Sequence, residues 1–318
     1  MNVMRNIIHS AAFYSVYFAP RGRERLLFLG EEISQRHLTF QDKLIGIIGD
    51  AGSGKSSLIK GMFPGLELVN DDDRFNAHKV MRITDDDECV NEATAFHMDM
   101  RFQIAFTQMH DIVRFVKNVL ERGRRIIIEH FDLLYPALKM NAEIMIGIGE
   151  EIIVTRPGIF GPLPKDIFDI VHHSLKYRKM VHTAEDITSM LIVREYGIAE
   201  ESWRNSDVIR GFVIVFDEKP DIDLLALEKR VQDIIEEQVD VVYYDDSHIK
   251  IGNFDPFWCS GPRIHLANSN GIENFRLLKD YIYDHLNDTY ALVGLVGHEA
   301  RDLEDLNRPH VFSRSEAL

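Results

Sequence analysis

A glycine-rich turn between an apolar run and an amphipathic segment constrains this chain more than any other feature. The apolar run covers residues 44 to 48, and the turn fits the pattern G-x-x-x-x-G-K-[ST] with Gly49-Asp50-Ala51-Gly52-Ser53-Gly54-Lys55-Ser56-Ser57. The three glycines permit backbone conformations that a Cβ disfavours, so successive N–H groups can converge on phosphate oxygens. A helix beginning at Lys55 adds the positive end of its dipole. The sequence therefore predicts a phosphate-binding loop in which all these residues contribute to a nucleotide site.

The charged and hydroxyl groups near this loop have distinct predicted roles. Lys55 is expected to reach the β- and γ-phosphates of a bound nucleotide, and Ser56 to offer its hydroxyl to Mg²⁺. Downstream, an apolar strand over residues 124 to 129 ends on Glu129, in the manner of a Walker B element, and Asp132 follows. Either acid is expected to orient the attacking water or to complete the Mg²⁺ shell. The predicted catalytic residues are therefore Lys55, Glu129 and Asp132.

An acidic cluster follows the next predicted strand, which covers residues 66 to 69. The cluster is Asn70-Asp71-Asp72-Asp73. Ligands bind beyond the carboxyl ends of strands in open α/β sheets, so Asp71 and Asp72 are candidate Mg²⁺ ligands together with Ser56. A solvated turn is the alternative. A second acidic run, at residues 85 to 88, has no strand before it and is predicted to be an exposed loop.

Apolar periodicity predicts the remaining elements. Helices are expected over residues 1–18, 23–36, 55–63, 105–121 and 222–238, and one long helix or two in sequence over 166–193. Strands are expected over 43–48, 96–101, 144–148, 151–154, 211–216, 239–244 and 249–251, with a loop over 253–261. The sequence leaves open whether the first two helices cover the nucleotide domain or form an oligomer contact. We predict an α/β P-loop domain with a mostly parallel sheet and flanking helices over 1–165, and an α+β domain over 166–318.

Composition bounds the class of protein. The chain has 318 residues, 45% of them hydrophobic, which suits two globular domains of about 150 residues each. Its apolar runs are shorter than the roughly 18 residues that a membrane span needs. Cys89 and Cys259 are the only cysteines, which suits a reducing compartment. We therefore expect a soluble cytoplasmic protein without a membrane partner.

The charge of the chain bears on nucleic-acid binding. A formal net charge of −15 disfavours broad, non-specific binding, which depends on neutralising phosphates. Two compact basic clusters nevertheless stand out, namely Arg21, Arg23, Arg25 and Lys176, Arg178, Lys179. Such clusters are usually solvated helix faces, and a local basic groove is the alternative.

Three segments of the second half resemble a known module. They are His182-Thr183-Ala184-Glu185-Asp186, the stretch 249–265 that contains Cys259-Ser260-Gly261, and the turn 268–275. In this order they resemble the second additional domain of alanyl- and threonyl-tRNA synthetases, which free-standing alanyl-tRNA editing proteins share. That module carries H-T-A-x-H on a helix, then C-G-G-T-H, then a turn similar to T-G-E-I-G. The resemblance covers residues 172 to 297.

The resemblance implies a zinc site in a pocket that hydrolyses mischarged aminoacyl-tRNA. His182 and Cys259 match two ligands of the module, and Asp186 replaces its second histidine with a carboxylate that zinc also accepts. Arg263 stands where the module has its last histidine and has no lone pair to offer, so His265 is the candidate fourth ligand. The alternative is the same fold without a metal, with Arg263 binding a carboxylate or phosphate in the pocket.

The whole chain resembles bacterial proteins that join a P-loop domain to an alanyl-tRNA synthetase second additional domain. Its first half is also similar to the small ATPase of tRNA threonylcarbamoyladenosine synthesis, through the P-loop, the pair His97 and Asp99 with Arg101 after it, and the strand-end Glu129. No catalytic motif of class II synthetases is visible, so aminoacylation is not expected. The implied partners are a nucleotide and a tRNA or aminoacylated molecule.

Three functions remain open from the sequence. The first is a Mg²⁺-dependent hydrolase of ATP or GTP, coupled to an editing-like domain that binds tRNA or an aminoacyl group. The second is a small-molecule kinase in which an acid among residues 71 to 73 accepts the proton of the acceptor hydroxyl. The third is a non-catalytic switch whose domain geometry follows nucleotide occupancy. The sequence chooses neither the base nor the oligomeric state.

Overall fold

The computed structural model describes residues 14–66, 95–157, 161–261 and 263–297. The chain divides into two compact units between His173 and Ser174, and the segment Pro20–Arg23 belongs with the second unit. The expected domain border lay at residues 165 and 166. Several expectations fall outside the described residues: the helix over 1–13, the strand over 67–69, the acidic segments 70–73 and 85–88, and with them the Mg²⁺ candidates Asp71 and Asp72.

Both units mix helices and strands, and the first is built on one mixed sheet. Its strands are β1 (Tyr14–Phe18), β2 (Leu44–Ile48), β3 (Ala95–Asp99), β4 (Arg125–Glu129), β5 (Ile144–Ile148) and β6 (Glu151–Thr155). Their order across the sheet is β1-β6-β5-β2-β4-β3. Strands β3, β4, β2 and β5 run parallel, whereas β6 is antiparallel to both β5 and β1.

Helices cover both faces of this sheet. They are α1 (Arg23–His37), α2 (Lys55–Met62), α3 (Met100–Phe106), α4 (Met109–Glu121) and α5 (Phe131–Leu138), followed by the first part of α6 (Pro164–Tyr196). Every residue of β2 is buried. Ile45 and Ile47 pack with α1 and α2, while Leu44 and Ile48 pack with α4 and α5. A strand buried on both faces explains why its sequence is a continuous apolar run rather than an alternating one.

Two glycines bring α1 and α2 into close contact. A Cβ on Gly61 would lie 2.0 Å from the carbonyl oxygen of Leu27, and a Cβ on Gly30 would lie 2.4 Å from that of Leu58. Only glycine allows the two backbones to approach so closely. Helix α1 therefore packs on the helix that follows the glycine-rich turn.

Several predicted elements need correction. Residues 14–18 form strand β1 and not the end of a helix, because their backbone pairs with β6 at the sheet edge. The strand predicted to reach residue 101 ends at Asp99, whose carboxylate caps α3 by accepting from the N–H groups of Arg101 and Phe102. The helix predicted over 105–121 is two helices separated at residues 107 and 108.

The second unit contains two antiparallel sheets. One has the order β12-β14-β8-β7, with β13 also paired to β14, and the other has the order β11-β10-β9. The strands are β7 (Trp203–Val208), β8 (Gly211–Phe216), β9 (Val241–Asp245), β10 (His248–Ile251), β11 (Phe257–Trp258), β12 (Arg276–Leu277), β13 (Ile282–Asp284) and β14 (Thr289–Leu295). Strand β11 lies within the predicted loop over 253–261.

Two helices complete the core of the second unit. The part of α6 after residue 173 contributes Val181, Ile187 and Leu191, and α7 (Leu224–Glu236) contributes Leu227 and Val231. Asp223 caps α7 by accepting from two backbone N–H groups of its first turn, so this helix begins later than the sequence suggested. None of the described helices is long and apolar enough to cross a membrane.

Candidate functional site

The predicted phosphate loop is a single tight turn between β2 and α2. Gly52 and Gly54 have φ values of 77° and 92°, which favour glycine, and Gly54 caps α2. A Cβ on Gly49 would lie 2.8 Å from the carbonyl oxygen of Ile148. The turn also brings together the other predicted residues: exposed Ala51, buried Ser53, and half-buried Ser56 and Ser57 in the first turn of α2.

The side chain of Lys55 folds back over the loop. Its Nζ donates a hydrogen bond of 2.8 Å to the carbonyl of Asp50 and lies 3.8 Å from Oε2 of Glu129. The residue is only 6% exposed. Burial lowers the pKa of Lys55, and the charges of Glu129 and Asp99 act in the opposite direction. Two of the predicted catalytic residues, Lys55 and Glu129, are thus in contact.

Glu129 is held in place by strand register and by a histidine. It lies opposite Ile47 of β2 and Asp99 of β3, at the carboxyl ends of three adjacent parallel strands. Nε2 of His97 lies 3.0 Å from its Oε1. Burial raises the pKa of Glu129, but the hydrogen bond and charge of His97 and the charge of Lys55 outweigh it, so the pKa lies below its usual value. The site therefore contains a buried, ionised carboxylate.

Asp99 and His130 complete a compact group around Glu129. Ligand atoms of these three residues all lie within 4.8 Å of one another. Burial and the charge of Glu129 raise the pKa of Asp99. Burial and the nearby cations Lys55 and Arg101 lower the pKa of His130 to about 4, so its imidazole is neutral near pH 7. His130 also has a φ of 55°, an uncommon backbone conformation for a non-glycine residue.

The third predicted catalytic residue lies on α5. Asp132 is half-buried, and its Oδ1 has no hydrogen-bond partner among the residues that the structure describes. Burial raises its pKa, whereas the charges of Arg101 and Lys55 lower it. Asp132 thus lies within the electrostatic reach of Lys55, although the structure records no direct contact between the two.

Asp50, the second residue of the loop, contacts an arginine and a histidine. Its Oδ1 lies 3.4 Å from an Nη atom of Arg101, and its Oδ2 contacts Nδ1 of His172. Burial raises the pKa of Asp50, but the hydrogen bond with His172 and the charges of His172 and Arg101 outweigh it, so the pKa is lower than usual.

Sequence reasoning did not assign His97, Asp99, Arg101 or His130 to the site. The first three appeared only as part of a resemblance. The signal that could have identified them is their position at the end of the strand at residues 95–99. His130 offered a weaker signal, because it only follows a strand-end acid in the chain. These residues come together because β2, β4 and β3 are adjacent in the sheet, so that the carboxyl ends of these strands lie side by side.

The four candidate zinc ligands of the second unit come together. His182 and Asp186 lie one turn apart on α6, while Cys259 and His265 lie on the chain that follows β11. Sγ of Cys259 is 3.3 Å from Nε2 of His182 and 3.8 Å from Nε2 of His265. Oδ2 of Asp186 is 2.9 Å from Nε2 of His265 and 3.8 Å from Nε2 of His182.

These separations suit one small ion. Tetrahedral zinc, with bonds of about 2.3 Å to sulfur and about 2.0 Å to nitrogen or oxygen, sets its ligand atoms about 3.3–3.6 Å apart. The observed distances lie on both sides of that range. Burial lowers the pKa of His182 well below its usual value, and it raises the pKa of the Cys259 thiol. The imidazole is therefore in the neutral form that binds metals, and the thiol would lose its proton on binding.

Arg263 does not belong to this cluster. Its side chain is 46% exposed, pairs with Asp246, and lies over the ring of Tyr243. The alternative in which Arg263 binds an anion in the pocket with His182 and Cys259 is therefore wrong for this structure. The short loop after Cys259 turns the arginine outwards and His265 inwards.

Two of the basic residues that the sequence placed on solvated faces are buried. Arg21 is 1% exposed and pairs with Glu185 at 3.0 Å and Asp207 at 2.7 Å. Arg178 is also 1% exposed, and it donates to the carbonyl of Pro20. Burial raises the pKa of Glu185 to about 7, and the charge of Arg21 acts against that rise. These arginines are packed inside the second unit and are not part of a basic surface.

The comparisons with known proteins assign no family. A scan against models of known protein families finds no match, and a search of curated proteins finds no similar sequence. The function of the chain must therefore be argued from its two candidate sites.

Proposed function

We propose that the first unit is a P-loop nucleotide-binding domain. It binds ATP or GTP with Mg²⁺ at residues 49–57 and hydrolyses the bond to the terminal phosphate. The observation that carries this proposal is the position of Lys55, whose ammonium bends back to the Asp50 carbonyl and lies 3.8 Å from the Glu129 carboxylate. A lysine in this position faces a turn whose N–H groups and helix terminus favour an anion.

The carboxylates beside Lys55 suit a magnesium ion by their chemistry. Mg²⁺ prefers oxygen ligands, and the close carboxylates of Asp99 and Glu129 repel each other unless a cation lies nearby. Ser56 would add its hydroxyl. When bound, the ion would neutralise charge on the β- and γ-phosphates. Among the described residues, Asp99 would hold the ion in the role that the sequence gave to Asp71 and Asp72, which leaves Glu129 to act on the water.

Hydrolysis then requires only water as a second reactant. The water oxygen forms a bond to the γ-phosphorus, the bond from that phosphorus to the β–γ bridging oxygen breaks, and the nucleoside diphosphate leaves with the electron pair. One proton of the water stays on the inorganic phosphate, and the other passes through the Glu129 carboxylate to solvent. Asp132 is the alternative acceptor. Lys55 stabilises the charge that develops on the phosphate oxygens.

The test compares phosphate release by three proteins. Lys55→Ala removes the ammonium, and Lys117→Ala is a matched control because Lys117 is exposed on α4 of the same unit. We expect Lys55→Ala to lower turnover by about 100-fold or more and Lys117→Ala to leave it unchanged. Equal turnover in all three would remove the proposal. A phosphorylated acceptor would identify a kinase, and tight nucleotide binding without any product would identify a switch.

For the second unit we propose an editing-like domain, related to the synthetase second additional domain, that holds zinc through His182, Asp186, Cys259 and His265. The convergence of four ligand atoms from the resembling segments supports this proposal. When bound, zinc would polarise a water or a carbonyl group. The chain's own residues orient the ligands: the backbone N–H of Gly261 donates a 3.3 Å hydrogen bond to Sγ of Cys259. A tRNA or an aminoacylated molecule is the proposed partner.

Cobalt offers the most direct test of this second site. Thiolate coordination gives Co²⁺ a strong near-ultraviolet absorption, so titration of the purified protein with Co²⁺ reports on Cys259. We expect one equivalent of Co²⁺ to bind and to be displaced by Zn²⁺, with the absorption lost in Cys259→Ala and kept in Cys89→Ala. Absorption that survives in Cys259→Ala would place the metal elsewhere.

A further inference from the structure

Arg101 is a charged residue beside the proposed phosphate loop, and the proposed mechanism gives it no role. Its backbone is fixed at the start of α3, where its N–H donates a 2.8 Å hydrogen bond to Oδ1 of Asp99. The preceding strand ends beside Glu129. The side chain therefore starts from the sheet edge that holds the buried carboxylates, yet it is 45% exposed and can change its conformation.

The present partner of Arg101 can release it easily. The guanidinium lies 3.4 Å from Oδ1 of Asp50, a distance at the long end for such a pair. Pairs that are partly exposed to water contribute little to stability. The other oxygen of Asp50 contacts His172, so the carboxylate keeps a partner when the arginine leaves. Exchange of Asp50 for a more highly charged anion therefore has a small energetic cost.

The charge of Arg101 already acts on the site. It lowers the pKa of Lys55 and of His130. Two cations close enough to affect each other's charge, such as Arg101 and Lys55, are stabilised by an anion that both can contact. A guanidinium also matches phosphate geometry better than an ammonium, because its planar donors can contact two oxygens at once.

Resting on the function proposed above, we propose that Arg101 is a catalytic residue: its guanidinium leaves Asp50 for the terminal phosphate and stabilises the charge that grows there as the bond to the bridging oxygen breaks. Lys55 and the loop N–H groups already contact the phosphates in the ground state, and they keep those contacts as charge develops. The guanidinium of Arg101 must first leave Asp50, and it binds the terminal phosphate most strongly in the transition state. Such an interaction raises turnover more than affinity.

The experiment separates binding from turnover in Arg101→Ala, Arg101→Lys and the control Arg114→Ala. Arg114 is exposed on α4 and pairs with a neighbouring Asp111. Nucleotide affinity would be measured by calorimetry and turnover by phosphate release, with circular dichroism to verify folding. For Arg101→Ala we expect kcat to fall about 1,000-fold or more, while Kd for the Mg²⁺–nucleotide changes less than about threefold. Arg101→Lys should recover only part of kcat, and added guanidinium ion should partly rescue Arg101→Ala.

The results that would contradict the role of Arg101 differ from those that would contradict the proposed function. If wild-type kcat survives in Arg101→Ala, the arginine is a surface ion-pair partner only, although Lys55→Ala would still abolish turnover. If Arg101→Ala weakens binding as strongly as it lowers kcat, the residue acts in the ground state and the transition-state role is wrong. Nucleotide binding by the wild type without any turnover would also overturn the assignment, because there would be no transfer to catalyse.

Discussion

The proposed phosphate loop and the proposed metal cluster are built in opposite ways. The loop consists of the consecutive residues 49 to 57. Its ligand would be an anion, and its backbone N–H groups would make most of the contacts. The cluster takes two ligands from α6 and two from a loop more than seventy residues later in the sequence, and its ligand would be a cation. The first needs only a turn of the correct shape, whereas the second needs a correctly folded unit.

This difference determines what a substitution can do at each place. In our proposal Lys55 of the loop and Glu129 beside it act on a ligand, so their replacement should affect chemistry more than folding. At the cluster, buried His182 and Cys259 lie in the protein core, so their replacement should affect metal binding and local stability together. The following predictions test that contrast, beginning with the largest effect.

Among the substitutions that test this contrast, Glu129→Gln should give the largest change. The amide keeps the size of the side chain and a hydrogen bond to His97, but it cannot accept the proton of the attacking water. We expect kcat to fall by about 100- to 1,000-fold, with nucleotide Kd altered far less. The measurement is phosphate release combined with calorimetric titration. A variant with wild-type kcat would transfer the role to Asp132, for which Asp132→Asn is the matching variant.

Cys259→Ala should give the next largest change, and it should leave the loop unaffected. Removing one of four ligands is expected to weaken Zn²⁺ binding by more than about 100-fold, since even the loss of an outer-shell partner costs 10- to 100-fold. Competition with a chromophoric chelator measures this affinity. Turnover of nucleotide by the first unit should remain at the level of Cys89→Ala. Unchanged Zn²⁺ affinity would show that Cys259 is only a core residue.

Gly61→Ala tests the packing of α1 on α2, the helix that follows the loop. The added Cβ would meet the backbone of Leu27 at 2.0 Å, and backbone cannot move aside as a side chain can. We expect a loss of about 2–3 kcal/mol in the free energy of unfolding of the first unit, measured in urea, without change in metal affinity.

Gly123→Ala is the comparison for that experiment. A Cβ there meets nothing within 4 Å, although its φ is 69°. Only the backbone conformation opposes the substitution, so the loss should be about 1 kcal/mol. An equal or larger loss in Gly123→Ala would contradict the close packing of α1 on α2.

His130 should give the smallest effect, through pH. Its pKa is about 4 in the folded protein, below the usual 6.5. Between those values the unfolded chain binds the proton more readily, so the stability from this group is complete above about pH 6.5 and declines as the pH falls towards about 4. His130→Asn, which tolerates the positive φ, should reduce the loss of stability between about pH 7.5 and about pH 5 by about 1 kcal/mol. Identical pH dependence in both proteins would refute this assignment.

The sequence predicted most elements of the first unit because local rules determine them. A buried parallel strand, a glycine-rich turn and a helix beginning at Lys55 have strong short-range signals, and the structure has all three. Strand β1 was missed because an edge strand depends on its partner β6, which lies far away in the chain. The pairing of Arg21 with Glu185 and Asp207 was missed for the same reason.

The candidate sites follow the same pattern. Lys55 could be identified from its neighbours in sequence, but the convergence of Asp99, Glu129 and His130 depends on which strands lie side by side. The zinc set could be proposed only through a resemblance, and spacing alone could not decide between Arg263 and His265. The missing lone pair of arginine favoured His265, and the structure agrees by exposing the Arg263 side chain and burying that of His265.

The central claim is that the loop from 49 to 57 captures the terminal phosphates of a nucleotide, and calorimetric titration with mono-, di- and triphosphates of adenosine and guanosine tests it most directly. In one of the two series the account predicts that, with Mg²⁺ present, the di- and triphosphates bind to one site at least about tenfold more tightly than the monophosphate. Lys55→Ala should abolish that preference. Absence of binding in both series, or an unchanged preference in Lys55→Ala, would contradict the account.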